Sequence, residues 1–311
     1  MNIINAAEVR SGEKKFWDGI YKKAIIIPSS KILQFSKKGK IAGIATVHLT
    51  KNCNRIKWIQ FMKLKGILPQ ATKEEACYGG SCYKDRTVDV RLNHLAKLDE
   101  YKSWSTRNIE FATPDGIKTM LSPKNVKKIN MSPFIRLGQS GDDSHAIATG
   151  LAEEWLRKSK AAGVKIKSVF ISSAYSPTTP EMYAKLSPYQ DQFVLHVTQS
   201  GYFSREEIEN RMCEFRKARD AGINVKIRII TNKSGVSHCV NKESAEEVGP
   251  MPTDNDAFLC DLLEKEGVTD ILEIPYHNDF TKQKSAPTRK YQAVCGDTGV
   301  CKTCAIKCFT K

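Results

Sequence analysis

The residues of this 311-residue chain best suited to chemistry are its ten cysteines. Four fall together near the C-terminus, Cys295, Cys301, Cys304 and Cys308, in the order C-x5-C-x2-C-x3-C. Three fall earlier: Cys53, then Cys77 and Cys82 as C-x4-C. Cys213, Cys239 and Cys260 are isolated and read as ordinary thiols. A thiolate is soft and anionic, and it ligates iron or zinc for that reason. Four of them within 14 residues can close a tetrahedral site or hold a cubane cluster. A C-x2-C pair serves both metals, so the spacing leaves zinc and iron–sulfur open; a disulfide pair in the tail is the blander alternative. In a short secreted chain such a cysteine count implies disulfides. Here the length, a sizeable apolar fraction of 41% and a polar start from Met1 to Lys15 with no apolar h-region favour metal ligation and a cytoplasmic location.

These side chains need elements to hold them. Residues 1–40 are basic and irregular, with a short apolar run at Ala24–Ile27. A strand-like run, Ile41–Leu49, leads into Cys53. Val88 to Trp104 has helical spacing through Val88, Leu92, Leu95 and Leu98. From Phe134 onward a strand–helix rhythm sets in. Strands are predicted at 134–138, 168–172, 193–198, 225–231 and 271–275. Helices are predicted at 146–162, ending at Gly163, at 181–186, at 204–220 with a capping box of Ser204 and Glu207, and at 256–265. Alternating strands and helices imply parallel strands joined by right-handed crossovers. The expected fold class is therefore α/β, a partial (β/α) barrel of about six parallel strands, with a doubly wound open sheet as the alternative. The chain divides into a basic extension at 1–40, a barrel-like domain at 41–280 and a cysteine-rich, metal-binding tail at 281–311.

In a parallel barrel, function sits at the C-terminal ends of the strands. Those ends are polar in this sequence. His48, Thr50, Asn52 and Cys53 follow the first strand; Gln139, Ser140, Asp142 and Asp143 follow the second. Ser172, Ser173 and Tyr175, then Thr198, Gln199, Ser200 and Tyr202, then Thr231, Asn232 and Lys233, then Tyr276, His277, Asn278 and Asp279 follow the others. One shared polar pocket would explain all six; loops that are polar merely because they are loops would also do so. Asp142 and Asp143 also suit a helix N-terminus on dipole grounds alone. Histidines such as His94 and His196, taken singly, read as structural.

The net charge of +15 points to an anionic partner, of which nucleic acid is the usual one. The lysines are spread along the chain, however, and there is no RNP, zinc-finger or helix-turn-helix pattern. No apolar run reaches the roughly 18–20 residues of a membrane helix. No G-x-G-x-x-G or Walker A sequence follows a strand, and no H-E-x-x-H sequence or Ser-His-Asp order supports a hydrolase.

A strand, a cysteine-bearing loop, a helix and further strand–helix repeats resemble the plan of radical S-adenosylmethionine enzymes. The usual C-x3-C-x2-C triplet of that family is absent from this sequence. The chain is more similar to phage-encoded, radical-SAM-like proteins of unknown function. The similarity is carried by the Cys53…Cys77…Cys82-Tyr83 loop, the Arg136-Leu-Gly-Gln-Ser-Gly-Asp142 strand end and the closing cysteine group, and covers residues 41–308. It implies a [4Fe–4S] cluster on Cys53, Cys77 and Cys82, S-adenosylmethionine near Gln139, Ser140 and Asp142, and an auxiliary cluster on Cys295, Cys301, Cys304 and Cys308. It also implies an electron donor and a substrate, of unknown identity, that gives up a hydrogen at the barrel mouth. The other function class is a zinc-stabilised nucleic-acid-binding protein in which the cysteines are structural.

Overall fold

The computed structural model describes residues 19, 22, 24–35, 43–51, 109–138, 143–172, 178–199, 205–231, 253–268, 271–275 and 293–294. The strands are β1 (Ile25–Ile26), β2 (Leu33–Phe35), β3 (Ala45–Val47), β4 (Thr50–Lys51), β5 (Glu110–Phe111), β6 (Ile135–Leu137), β7 (Ser168–Ser172), β8 (Phe193–Gln199), β9 (Val225–Thr231), β10 (Ile271–Pro275) and β11 (Ala293–Val294). The α-helices are α1 (Pro114–Met120), α2 (Pro123–Asn130), α3 (Asp143–Ala148), α4 (Leu151–Ala161), α5 (Pro180–Leu186), α6 (Arg205–Asp220) and α7 (Thr253–Lys265).

Eight strands form the main sheet in the order β11-β10-β9-β8-β7-β6-β3-β2. Every pairing in it is parallel except that of β2 with β3. From β3 through β10 the order in space repeats the order in sequence. A doubly wound sheet would reverse direction at a switch point. Here each right-handed crossover steps the same way, which puts the connecting helices on one face. The result is a mixed α/β fold whose sheet has the strand order of a partial barrel wall. Among the described residues β2 and β11 do not pair, and the sheet stays open.

One core lies between sheet and helices. Its strand members are alternate residues: Ala45, Val47, Ile135, Leu137, Phe170, Phe193, Leu195, Val197, Ile227 and Ile229. They pack against Trp155 and Leu156 of α4, Ile208, Met212 and Phe215 of α6, and Leu259, Leu262 and Leu263 of α7. Phe170 and Phe193 meet edge to face at 5.2 Å, a geometry that stabilises beyond area burial. Trp155 is fully buried, and its indole N–H donates to Ser168 Oγ at 2.9 Å. A buried indole needs such a partner.

Three expectations change. The first strand is shorter than 41–49. The chain pairs with β6 only over Ala45–Val47 and then turns into β4, part of a second sheet ordered β1-β5-β4. The helix expected over 146–162 is two helices, broken at Gly150 with φ 75°. Apolar periodicity alone does not reveal that break. Finally, α1 and α2 were not expected. Each opens on a hydroxyl residue followed by proline, Thr113-Pro114 and Ser122-Pro123, the pairing of N-cap and first-turn proline that starts helices. Thr113 Oγ1 accepts from Gly116 N at 3.0 Å. The helix expected over Val88–Trp104 lies outside the described residues.

Candidate functional site

The strands β3, β6, β7, β8, β9, β10 and β11 run parallel and so end on one edge of the sheet. The residues expected to do chemistry attach to the chain near those ends. Cys53 is six residues beyond β3, past β4 of the second sheet; Gln139 is the residue after Gly138, and Cys295 is the residue after β11. Cys53, Cys77, Cys82, Gln139, Ser140, Asp142, Cys295, Cys301, Cys304 and Cys308 themselves lie outside the described residues. Among the described residues no group of three His, Cys, Asp or Glu side chains could hold a metal ion. Cys213 on α6 is exposed, and Cys260 on α7 is half-buried.

The described part of this edge is dense in buried polar groups. His48 is buried directly after β3; its backbone N–H donates to Ile32 O at 2.8 Å, and its Nε2 lies 3.2 Å from Gln34 Oε1. The Gly138 N–H donates to Val47 O at 2.9 Å, so the β3–β6 pairing runs to the start of the 139–142 segment. Beyond that segment Asp143 opens α3 with a side chain only 1% exposed. Its Oδ2 accepts the N–H of Ile171 at 2.7 Å. The β6–β7 pairing stops at Arg136 and Val169, and Asp143 takes over where β6 no longer supplies an acceptor. The segment between Gly138 and Asp143 is thus anchored at both ends to the sheet edge. Ser144 and His145 follow Asp143 and are buried too. At the end of β8, Gln199 turns to the helix side and donates from Nε2 to Ile208 O at 3.0 Å.

The second face of the sheet, away from the helices, has a different character. Its apolar members are Ile44, Phe134, Val169 and Ile171, a cluster of their own in which Val169 is level with Arg136 and Ile171 with His196. Strand alternation places Val194, His196 and Thr198 of β8 on that face, because Phe193, Leu195 and Val197 join the helix-side core. Register then adds Lys226 beside His196 and Arg228 beside Thr198 on β9. It adds Arg136 beside Val169 on β6, and Thr46 beside Arg136 on β3. His196, Lys226, Thr46 and Thr198 are buried; Arg136 and Arg228 are half-buried.

The residue-by-residue reading of the sequence missed this set, having read His196 as structural. Its signal is the period-two pattern in F-V-L-H-V-T-Q and V-K-I-R-I-I-T. A parallel strand covered by helices on both faces reads as a continuous apolar run. These two strands carry a polar or charged residue at every second position over part of their length.

A third polar cluster lies in the helix layer. Glu214 of α6, 8% exposed, accepts from Tyr183 Oη at 2.9 Å and from Lys217 Nζ at 2.8 Å, and also accepts the hydroxyl of Thr178. Lys217 Nζ further donates to Thr178 O at 3.1 Å. This network fastens α5 to α6. Its groups satisfy one another, which suits a structural role.

No family model and no curated protein matches the chain. Among solved structures, that of native anSMEcpe with bound AdoMet is similar over 55% of this chain and 45% of that one, at 9% sequence identity and a TM-score of 0.35. A likeness at that level carries no argument. No described helix is long and apolar enough to cross a membrane.

Proposed function

We propose that this chain is an iron–sulfur protein, a radical-S-adenosylmethionine-like enzyme acting at the C-terminal edge of its sheet. The observation that supports the reading is the convergence of strand ends. Parallel strands in sequential order finish on one edge; the sequence attaches the Gln139–Asp142 segment and Cys295 directly after such finishes, and Cys53 six residues past the end of β3. The donor chemistry fits. Seven thiols in two groups suit iron better than a hard cation does. Cys53, Cys77 and Cys82 would ligate a [4Fe–4S] cluster and leave one iron position open. Cys295, Cys301, Cys304 and Cys308 would hold an auxiliary cluster.

Bound together, the cluster and S-adenosylmethionine supply one-electron chemistry that protein side chains cannot. The chain's own part is placement. Asp143 and the β3–β6 pairing fix the two ends of the 139–142 segment, whose amides, hydroxyl and carboxylate would hold an amino-acid or ribose group. The 54–76 stretch, with Trp58, Phe61, Met62 and Leu64, is apolar enough to exclude water. An electron donor is required, and the location is the cytoplasm.

The test is anaerobic purification with absorption spectroscopy and iron and sulfide analysis, on the parent and on a C53A/C77A/C82A variant with the tail intact. The expected parent is brown, and the variant loses iron and all S-adenosylmethionine cleavage. A variant that keeps the parent's iron content and cleavage rate overturns the assignment. A colourless parent carrying stoichiometric zinc favours the nucleic-acid-binding reading, which the net charge of +15 supports.

A further inference from the structure

We infer that the exposed lysine face formed by α2 and the turn after α4 is a docking surface for double-stranded nucleic acid, held through its phosphate backbone without reading its sequence. The inference rests on exposed charge, not on any cysteine, and it stands whether the cysteines take iron or zinc.

The face begins on one helix. Lys124, Lys127 and Lys128 of α2 and its C-cap Met131 are spaced i, i+3, i+4 and i+7, and all four are exposed. That spacing sets them on one stripe. Val126 and Ile129, on the opposite side, are the buried residues of the helix. Asn130 joins this stripe to the neighbouring crossover. Its Nδ2 donates to Gly163 O at 3.0 Å, and its Oδ1 accepts the Lys165 N–H at 2.9 Å. Lys165 is exposed there, and so is Lys160 in the last turn of α4, whose carbonyl accepts from Gly163 N at 3.0 Å. Five lysines from two crossovers thus adjoin. The Ile135 N–H donates to Lys167 O at 2.9 Å, so α2 and the turn after α4 meet at the starts of β6 and β7. The face lies away from the edge to which the cysteine segments attach.

These charges have no counterpart within the chain. No Asp or Glu occurs at positions 116–141 or 155–180. On α4 the acids Glu153 and Glu154 sit in the first turn, at the other end of the helix from Lys160. None of the five lysines has an ion pair among the described residues, whereas elsewhere Lys158 pairs with Glu154, Lys217 with Glu214 and Arg216 with Glu266. The helix dipole accounts for Lys127, Lys128 and Lys160, each in a last turn. It does not account for Lys124, in the first turn of α2, where the dipole disfavours a cation and Lys128 repels it from four residues on. Nor does it account for Lys165 on the turn. A self-repelling set without an internal counter-charge is complemented by an external polyanion.

The makeup of the face selects among polyanions. Its exposed members are lysines and one methionine, with no aromatic side chain. Protein interfaces are poor in lysine and rich in aromatic anchors, and single strands stack their bases on aromatic platforms. Docking on a membrane surface takes a broader apolar face than Met131 alone. Ammonium groups on flexible stems act as point charges toward backbone phosphates, and such contacts carry no sequence information.

The test measures the full chain against fluorescein-labelled DNA duplexes of two unrelated sequences, by anisotropy, between about 50 and 200 mM salt. It needs no S-adenosylmethionine and no reductant, so the cluster reading can fail without touching it. Both duplexes are expected to bind alike, at about 10⁻⁴–10⁻⁶ M near physiological salt. Each phosphate contact contributes about −0.9 to the slope of log affinity against log salt, so five give about −4.5. K127Q/K128Q and K160Q/K165Q, on two different crossovers, should each reduce the slope by about 1.8 and weaken binding at least tenfold at low salt. The control K185Q/K265Q removes two exposed lysines from α5 and α7 and should leave slope and affinity close to the parent's. Circular dichroism should be unchanged in all three. The surface does not exist if the parent binds no duplex, or binds phosphatidylserine vesicles and not duplex. The same conclusion follows if both lysine pairs can be removed without loss, or if the control weakens binding as much as they do.

Discussion

Asp143 shows how much one side chain can fix at this edge. Its carboxylate takes the Ile171 N–H that β6 is too short to reach, and α3 starts from the same residue. D143A leaves that amide without its carboxylate acceptor, and a charge-assisted hydrogen bond contributes about 1.5–3 kcal/mol. We expect an unfolding free energy, measured in urea, lowered by that amount and, in the loaded enzyme, a larger loss of S-adenosylmethionine cleavage than of iron. Equal losses of both would mean that Asp143 serves only the fold. The sequence predicted a polar group at this point but offered Asp142 and Asp143 alike, with a helix dipole as sufficient reason for either. Which of two adjacent acids caps the strand depends on the length of β6, and that length is a property of the pairing.

Among the elements, the strands buried inside the sheet were the legible ones. β7, β9 and β10 lie where the apolar runs put them, and β8 extends one residue further. Gly163, with φ 82°, ends α4's turn as expected. The two-residue strands β1, β4, β5 and β11 were not legible, because pairing two residues leaves no periodic trace. The helix break at Gly150 was invisible for another reason: apolar spacing continues across it through Ile147, Leu151 and Trp155. A Cβ at Gly150 would meet nothing within 4 Å, so the cost of G150A is purely that of the left-handed backbone, about 1–2 kcal/mol. We expect that loss in equilibrium unfolding, and a neutral outcome would show that α3 and α4 can merge.

The α6–α7 packing supplies a pH-dependent element. Glu266 accepts from Arg216 Nε at 2.8 Å and lies 3.3 Å from Arg219 Nη1. These guanidinium groups, Arg216 first, hold its carboxyl below the ordinary value of 4.5 despite opposing desolvation. A carboxyl lowered in the folded state binds its proton more weakly there than in the unfolded chain. Its contribution is therefore present above pH 4.5 and is lost as the pH falls through the lower folded value. The pair is partly solvated, with Arg219 43% exposed, and about 0.2–1 kcal/mol is the appropriate scale. E266Q should thus be slightly less stable than the parent at pH 7, with the gap closing as acid is added. A gap that widens in acid would contradict the sign.

At the scale of the whole molecule, the sheet separates two tasks by alternation. One face, through Phe193, Leu195 and Val197, anchors the helix layer; the other, through His196 and Thr198 on the same strand, holds polar groups that add nothing to that core. Removing side chains from the two faces should therefore move stability in opposite directions. L195A deletes a fully buried side chain from the main core, and such truncations cost about 2–5 kcal/mol. T198V keeps the size and replaces a buried hydroxyl that has no partner among the described residues. Burial of an unpaired hydroxyl is itself unfavourable by about 1–3 kcal/mol. T198V should therefore raise the unfolding free energy measured in urea, by up to about 1 kcal/mol after imperfect packing of the new methyl is allowed for. A T198V protein less stable than its parent would mean that the hydroxyl is satisfied within the chain.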